Sequence, residues 1–174
     1  VLEFSSIDGL TDRRNAKPYK ILSSLMFSQY EYIIWEDGNH QLKKDPQLII
    51  DEYGDNVDLL LFKHPDRICT YDEIRIVDSA GLDETFNIQN QYIFYKNVGM
   101  PQNYGLFEMS TFIKKNTPII NTFDLLWWEH ICKFSSRDQI SLPFVLWKFG
   151  KRIQYKISEY RCIINGISSK ISIL

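Results

Sequence analysis

The run Tyr30-Glu31-Tyr32-Ile33-Ile34-Trp35-Glu36-Asp37-Gly38-Asn39 is apolar, β-branched and aromatic until it breaks into an acidic turn. Such a run reads as a buried strand, and a carboxylate at its end lies where open α/β sheets hold their ligands. Gly38 lets the backbone turn tightly, so Asp37 and Asn39 can both point oxygens at one hard cation and the phosphates it bridges. An ordinary strand-to-loop turn uses the same Asp-Gly and Gly-Asn dipeptides. Other stretches have to decide between the two readings.

Four of them carry groups capable of chemistry. Upstream, Arg13, Arg14, Lys17 and Lys20 have the spacing of a helix face and can meet a diphosphate by charge-assisted hydrogen bonds, although a solvated face has the same pattern. The sequence Phe62-Lys63-His64-Pro65-Asp66-Arg67 ends a buried strand in a dense set of titratable groups. His64 there could bond a ligand hydroxyl, ligate a metal or move a proton, or it could tie its own loop to the backbone. Glu108 follows the turn-rich stretch 99–105 and sits among apolar residues, where a carboxylate pays desolvation unless it is paired or functional; the solvated face of an edge strand is its other reading. Last, Leu126-Trp127-Trp128-Glu129 precedes Ser136-Arg137-Asp138-Gln139-Ile140-Ser141. Asp138 at a helix start is stabilised by the helix dipole and is a candidate catalytic carboxylate, with Gln139 as hydrogen-bond donor. Plain capping by Ser136 or Asp138, with the tryptophans in the core, competes with that role.

The elements that must position these groups alternate strand and helix. Val1 to Phe4 reads as a short strand, and the basic stretch 13–20 runs into an apolar helix through Phe27, started or interrupted near Pro18. Asp45-Pro46 opens a helix with Leu48, Ile49 and Tyr53 inward and Gly54 as its stop. Val57 to Lys63 is continuously apolar, as in a strand covered on both faces, which implies a parallel or mixed sheet. Helices are expected over 71–77, 84–96, 118–133 and 138–149, the last ending at Gly150, with a strand over 106–113. Residues 151–174 read as edge strands or a C-terminal extension.

Composition bounds the classes. The chain has 174 residues, 44% of them hydrophobic, which suits one domain with a substantial core. A net charge of -2 and a pI near 5.9 offer nucleic acid no global attraction. Cys69, Cys132 and Cys162 form neither a disulfide framework nor a zinc site, so a reducing, cytoplasmic compartment is expected. No apolar run reaches membrane-spanning length.

Taken in order, Trp-x-Asp-Gly-Asn, Asp-Pro before a helix, Lys-His-Pro-x-Arg, Gly-x-Pro with Gly-Leu-x-Glu, Leu-Trp-Trp, and Arg-Asp-Gln-x-Ser before Val-Leu-Trp-Lys resemble one family. It is the glycosyltransferase-like family of plant mucilage and cell-wall proteins, bacterial capsular polysaccharide synthesis proteins and algal-virus proteins, matched from about Arg13 to Gly150. The resemblance implies a glycosyltransferase A fold, with a Rossmann-like, mainly parallel mixed sheet flanked by helices. It also implies a nucleoside-diphosphate sugar donor, such as UDP-glucose or UDP-rhamnose, a glycan acceptor, and Mn2+ or Mg2+. On that basis Asp37 and Asn39 are the expected metal positions, Asn39 standing where the usual motif has a second acid. Arg13, Arg14, Lys17, Lys20, Asp37, Gly38, Asn39, His64 and Gln139 are expected to bind the donor, and Trp127, Trp128 and Arg137 the acceptor. Asp138 and Glu108 are the candidate bases of an inverting transfer. An upstream strand and loop for the nucleoside base is expected to be missing, and fusion to other glycosyltransferase domains fits the family.

Two other classes compete. A noncatalytic carbohydrate-binding or scaffold module would use the double tryptophan as a stacking platform. A metal-dependent phosphodiesterase or nuclease would use Asp37, His64 and Asp66, but the chain's three histidines, His40, His64 and His130, have no paired metal spacing.

Overall fold

The computed structural model describes residues 6–38, 40–42, 44–53, 57–158 and 163–164. The expected strand at Val1 to Phe4 and the stop at Gly54 lie outside them. In chain order the elements are α1 (Asp12–Ile21), α2 (Ser23–Met26), β1 (Tyr32–Glu36), β2 (His40–Gln41), α3 (Pro46–Tyr53), β3 (Leu59–Lys63), α4 (Thr70–Ser79), α5 (Thr85–Asn97), β4 (Phe107–Lys115), α6 (Pro118–Lys133), α7 (Asp138–Phe149), β5 (Tyr155–Ser158) and β6 (Ile163–Ile164). No helix among the described residues is long and apolar enough to cross a membrane.

Local chemistry accounts for most boundaries. Thr117 accepts from Ile120 N at 3.4 Å with Pro118 in the first turn of α6, and Asp45 accepts from Gln47 N at 2.8 Å ahead of Pro46 in α3. Gly150 closes α7 with φ +54, a conformation that favours glycine. Pro18 neither starts nor breaks α1: the helix runs through it to Ile21, and Leu22 N donates to the Pro18 carbonyl at 2.7 Å. Leu48 does not face inward and is 55% exposed, because Ile49 takes the sheet-facing position and successive helical residues point about 100° apart.

The main sheet has the order β1-β4-β3-β5. It is mixed, but its pairings are not mainly parallel. β4 runs antiparallel to both β1 and β3, and only β3 and β5 pair in parallel. The continuous apolar run of β3 reflects covering on both faces, which strand direction does not determine. Leu59 and Leu61 face the large core shared with Tyr95, Trp127 and Phe144, whereas Leu60 and Phe62 face a smaller cluster with Ile113 and Ile49. The short β2–β6 pair forms a separate two-stranded ribbon.

Two features of β4 stand out, one toward each end of the strand. Between Leu60↔Ile113 and Phe62↔Glu108, β3 advances two residues while β4 advances five, so β4 bulges over Met109 to Phe112. Lys114, farther along β4, forms a fully buried ion pair with Asp124 of α6; its ammonium also donates to the Ile21 carbonyl at 2.7 Å, and the Ser24 hydroxyl donates to Asp124.

Candidate functional site

A cleft of about 370 Å³ opens at the carboxyl ends of β1 and β3, beside the start of β4. Antiparallel pairing explains why these edges coincide: Asp37 N donates to the Ser110 carbonyl at 2.7 Å, which sets the end of β1 against the bulged stretch carrying Glu108, Met109 and Ser110. α1 contributes Lys17 and Lys20, three apart and therefore on one helix face. The first turn of α7 contributes Arg137, Asp138 and Gln139.

Lys20 organises the floor. Its ammonium is 2.8 Å from Asp138 Oδ2 and 3.4 Å from Asp37 Oδ1, and it also donates to the Met109 carbonyl. Lys17 Nζ holds the other Asp138 oxygen at 3.0 Å. Burial alone would raise the Asp138 pKa, but the charges of Lys20 and then Lys17 outweigh it and bring it down to about 2. Burial also lowers the Lys17 pKa, with Asp138 opposing that shift. Asp138 is thus a permanently ionised carboxylate with little basicity near neutral pH.

Asp37 is more open. Its Oδ1 accepts from Trp35 Nε1 at 2.7 Å, and its side chain is 42% exposed. Trp35 was missed as a cleft residue, although a Trp-x-Asp spacing places both side chains on one face of an extended chain. The Asp37 carbonyl accepts from His40 N at 2.8 Å, closing the turn. Gly38 is exposed, lies outside the left-handed region and would meet nothing with an added Cβ, so the turn does not require glycine. Asn39 lies outside the described residues.

The third carboxylate in the cleft is Glu108, half-buried, which accepts from Ser110 Oγ at 2.9 Å. No cation pins it among the described residues. His64 also lines the cleft, but its Nδ1 accepts from the backbone of Asp66 and Arg67, each at 3.1 Å, and its Nε2 is 3.2 Å from Arg67 Nη2. Burial and then the Arg67 charge lower its pKa, so the ring is neutral and ties its loop together. Gln139 Nε2 donates to the Phe107 carbonyl at 2.9 Å, which leaves its carbonyl oxygen and second N–H for a ligand.

Several expected site residues are not brought to the cleft. Arg13 donates to the Leu82 carbonyl, while Arg14 donates to the Ile131 and Phe134 carbonyls at 3.3 and 2.6 Å. These arginines clamp α1 to the α4–α5 loop and to the end of α6, and neither lines the cleft. Trp127 is 1% exposed, packs on Phe112 and Phe123, and donates to Ser141 Oγ at 2.9 Å. Trp128 packs against the core from a position about 100° around the helix, so the pair forms no stacking platform. Arg137 does line the cleft, with its Nε buried and unpartnered among the described residues.

No group of three or more His, Cys, Asp or Glu side chains converges on a metal-sized point among the described residues. Asp37 alone offers an accessible carboxylate at the expected metal position. That suits an ion whose coordination is completed by phosphate and water, and does not form an all-protein cage.

Comparison with known proteins bears on the family to which the chain belongs. The family profile described as TOD1/MUCI70, glycosyltransferase-like domain, matches residues 8–168. A probable hexosyltransferase, MUCI70 of Arabidopsis thaliana, is 30% identical over 158 residues, covering 85% of this chain and 27% of its own length. The chain therefore spans about a quarter of that relative. No solved structure matches.

Proposed function

Because the chain belongs to the TOD1/MUCI70 glycosyltransferase-like family, we propose that the cleft binds a nucleoside-diphosphate sugar and transfers its hexosyl group to a glycan hydroxyl. The observation that supports this most directly is that Lys20 draws Asp37, from the end of β1, and Asp138, from the start of α7, to one ammonium. Two carboxylates and two lysines then surround the space where a diphosphate and its sugar would meet. In this reading the sheet and its flanking helices are a variant of the glycosyltransferase A fold.

In the proposed reaction the donor's diphosphate lies toward Asp37, Lys17 and Lys20. When bound, Mn2+ or Mg2+ on Asp37 supplies Lewis-acid neutralisation of the departing charge. Lys17 and Lys20 add fixed positive charge that needs no rearrangement as the bond breaks. Asp138 and Gln139 hold the sugar side, through acceptor oxygens on Asp138 and the free half of the Gln139 amide. Glu108 takes the proton from the acceptor hydroxyl as that oxygen bonds the anomeric carbon and the bond to diphosphate breaks, giving inversion. Glu108 is preferred to Asp138 as base because two lysines hold Asp138 ionised down to about pH 2. Arg137 lies on the acceptor side. A UDP-sugar such as UDP-glucose or UDP-rhamnose is the donor class this reading tests first.

Thermal stability should rise on adding UDP together with Mn2+, as a ligand bound only by the folded state requires. Asp37→Ala should leave the melting temperature of the unliganded protein nearly unchanged and lower donor turnover by about 100-fold or more. Undiminished turnover, with a retained nucleotide response, would sink the assignment of Asp37.

A further inference from the structure

We propose that Asp83, which lies outside the cleft on the α4–α5 loop, is a positioning residue that holds Asp138 and Gln139 in place through the Ser135-Ser136 turn. The proposal deepens the donor-site reading above and, for its effect on turnover, rests on it.

α7 begins without an ordinary cap. Arg137 occupies the cap position and its side chain makes no capping bond, although the first turn of a helix leaves several N–H groups without intrahelical partners. The turn is held one step earlier. Asp83 Oδ2 accepts from Ser135 Oγ at 2.9 Å, from Ser136 N at 2.7 Å and from Ser136 Oγ at 2.7 Å, while Oδ1 accepts from Glu84 N at 2.8 Å. Ser135 Oγ in turn accepts from Arg137 N at 3.1 Å. That path ends one residue before Asp138. On the far side, Gln91 accepts from Ser135 N at 3.3 Å and donates to Tyr95 OH at 2.8 Å, which anchors the turn to α5 in the core.

Both serines are buried, so water cannot easily replace these bonds. Burial pushes the Asp83 pKa up, but the donors from Ser136, Glu84 and Ser135 bring it below the ordinary carboxylate range. A carboxylate fits this site and an amide does not. With donors facing both oxygens, an asparagine must turn its NH2 toward at least one of them. The dependent geometry is tight: Asp138 sits 3.0 Å from Lys17 and 2.8 Å from Lys20. A displacement on the order of 1 Å in a reacting constellation can cost 10²-fold in rate.

The test uses Asp83→Ala, with Ser136→Ala as a milder variant that removes a single hydroxyl bond and keeps the carboxylate, and Val145→Ala as a core control. Two readouts are needed. The first is carboxyl ¹³C NMR titration of Asp138 in each protein, which requires no activity. Asp138 should titrate near 2 in the parent and shift upward in Asp83→Ala, less so in Ser136→Ala, and not at all in the core control. The second is turnover of a nucleotide sugar in Asp83→Ala, Asp138→Asn and the double variant. Asp83→Ala should lower kcat by roughly 10- to 100-fold, with the double variant no worse than Asp138→Asn alone. An unmoved Asp138 titration in both Asp83→Ala and Ser136→Ala, or a double variant in which the losses multiply, would overturn the positioning role. If the parent turns over no nucleotide sugar but the titration shifts as stated, positioning holds and the transferase reading falls.

Discussion

Two lysine–aspartate clusters in this molecule share their chemistry and differ in what surrounds them. Lys114 and Asp124 are sealed in the core with no exposure, at one lysine to one carboxylate, with Ser24 and the Ile21 carbonyl completing the set. Burial pushes Asp124 up and Lys114 down, against their mutual attraction. Asp138 has two lysines, and their charge overcomes the same desolvation. The first cluster joins α6 to β4 and the end of α1 where no ligand can enter. The second lines an open cleft, where an ionised carboxylate and its lysines can act on something from outside. Matching residue types therefore say little about role until solvent access and stoichiometry are known.

The largest effect expected from breaking this contrast is on stability. Lys114→Met leaves Asp124 buried without its counter-charge and should cost about 3–5 kcal/mol, read by denaturant titration, with much of the loss recovered in Lys114→Met/Asp124→Leu. Cleft chemistry should survive in the double variant. Lys20→Ala should do the reverse: Asp138 keeps Lys17, the fold persists, and donor turnover falls by about 100-fold. Turnover within twofold of the parent would remove the contrast between the clusters.

A smaller effect separates them by pH. Asp138's lowered pKa contributes stability that is present above its unfolded value near 4 and is lost as pH falls through about 2. It is therefore silent between pH 4 and 7. In that window, buried His130 takes over. Desolvation, helped by Lys133 and Lys148, lowers its pKa from 6.5 to about 4. The unfolded chain then binds the proton first, so stability falls as pH drops from 6.5 to 4, by about 3 kcal/mol. Asp124, shifted the other way, gives an opposing slope. The His130 share is accordingly the difference between the parent and His130→Gln, measured by urea titration across that range. Identical slopes in the two proteins would refute it.

Much of the local architecture was legible before the fold. Pro118–Lys133 and Asp138–Phe149 match their expected bounds because an amphipathic period and a terminal glycine are local signals, each acting within its own helix. The strand ending at Asp37 followed from its apolar run. The reversed β4 did not, since a buried strand shows the same apolar pattern whichever way its neighbour runs. Among the site residues, the basic helix was visible, but not that Lys17 and Lys20 reach the cleft while Arg13 and Arg14 turn to backbone carbonyls elsewhere. The double tryptophan likewise could not reveal which of its rings the core takes.

What the chain's order of residues settled by itself is therefore short-ranged: periodicities, caps, a Trp-x-Asp spacing at a strand end, and the motifs that mark the family. Tertiary structure alone decided that Lys20 stands between Asp37 and Asp138, that two lysines rather than one hold Asp138, and that Asp83 supports the turn before it from another loop. Ion pairs and desolvation act through space, so their balance exists only once chain closure has brought distant segments to the same few ångströms.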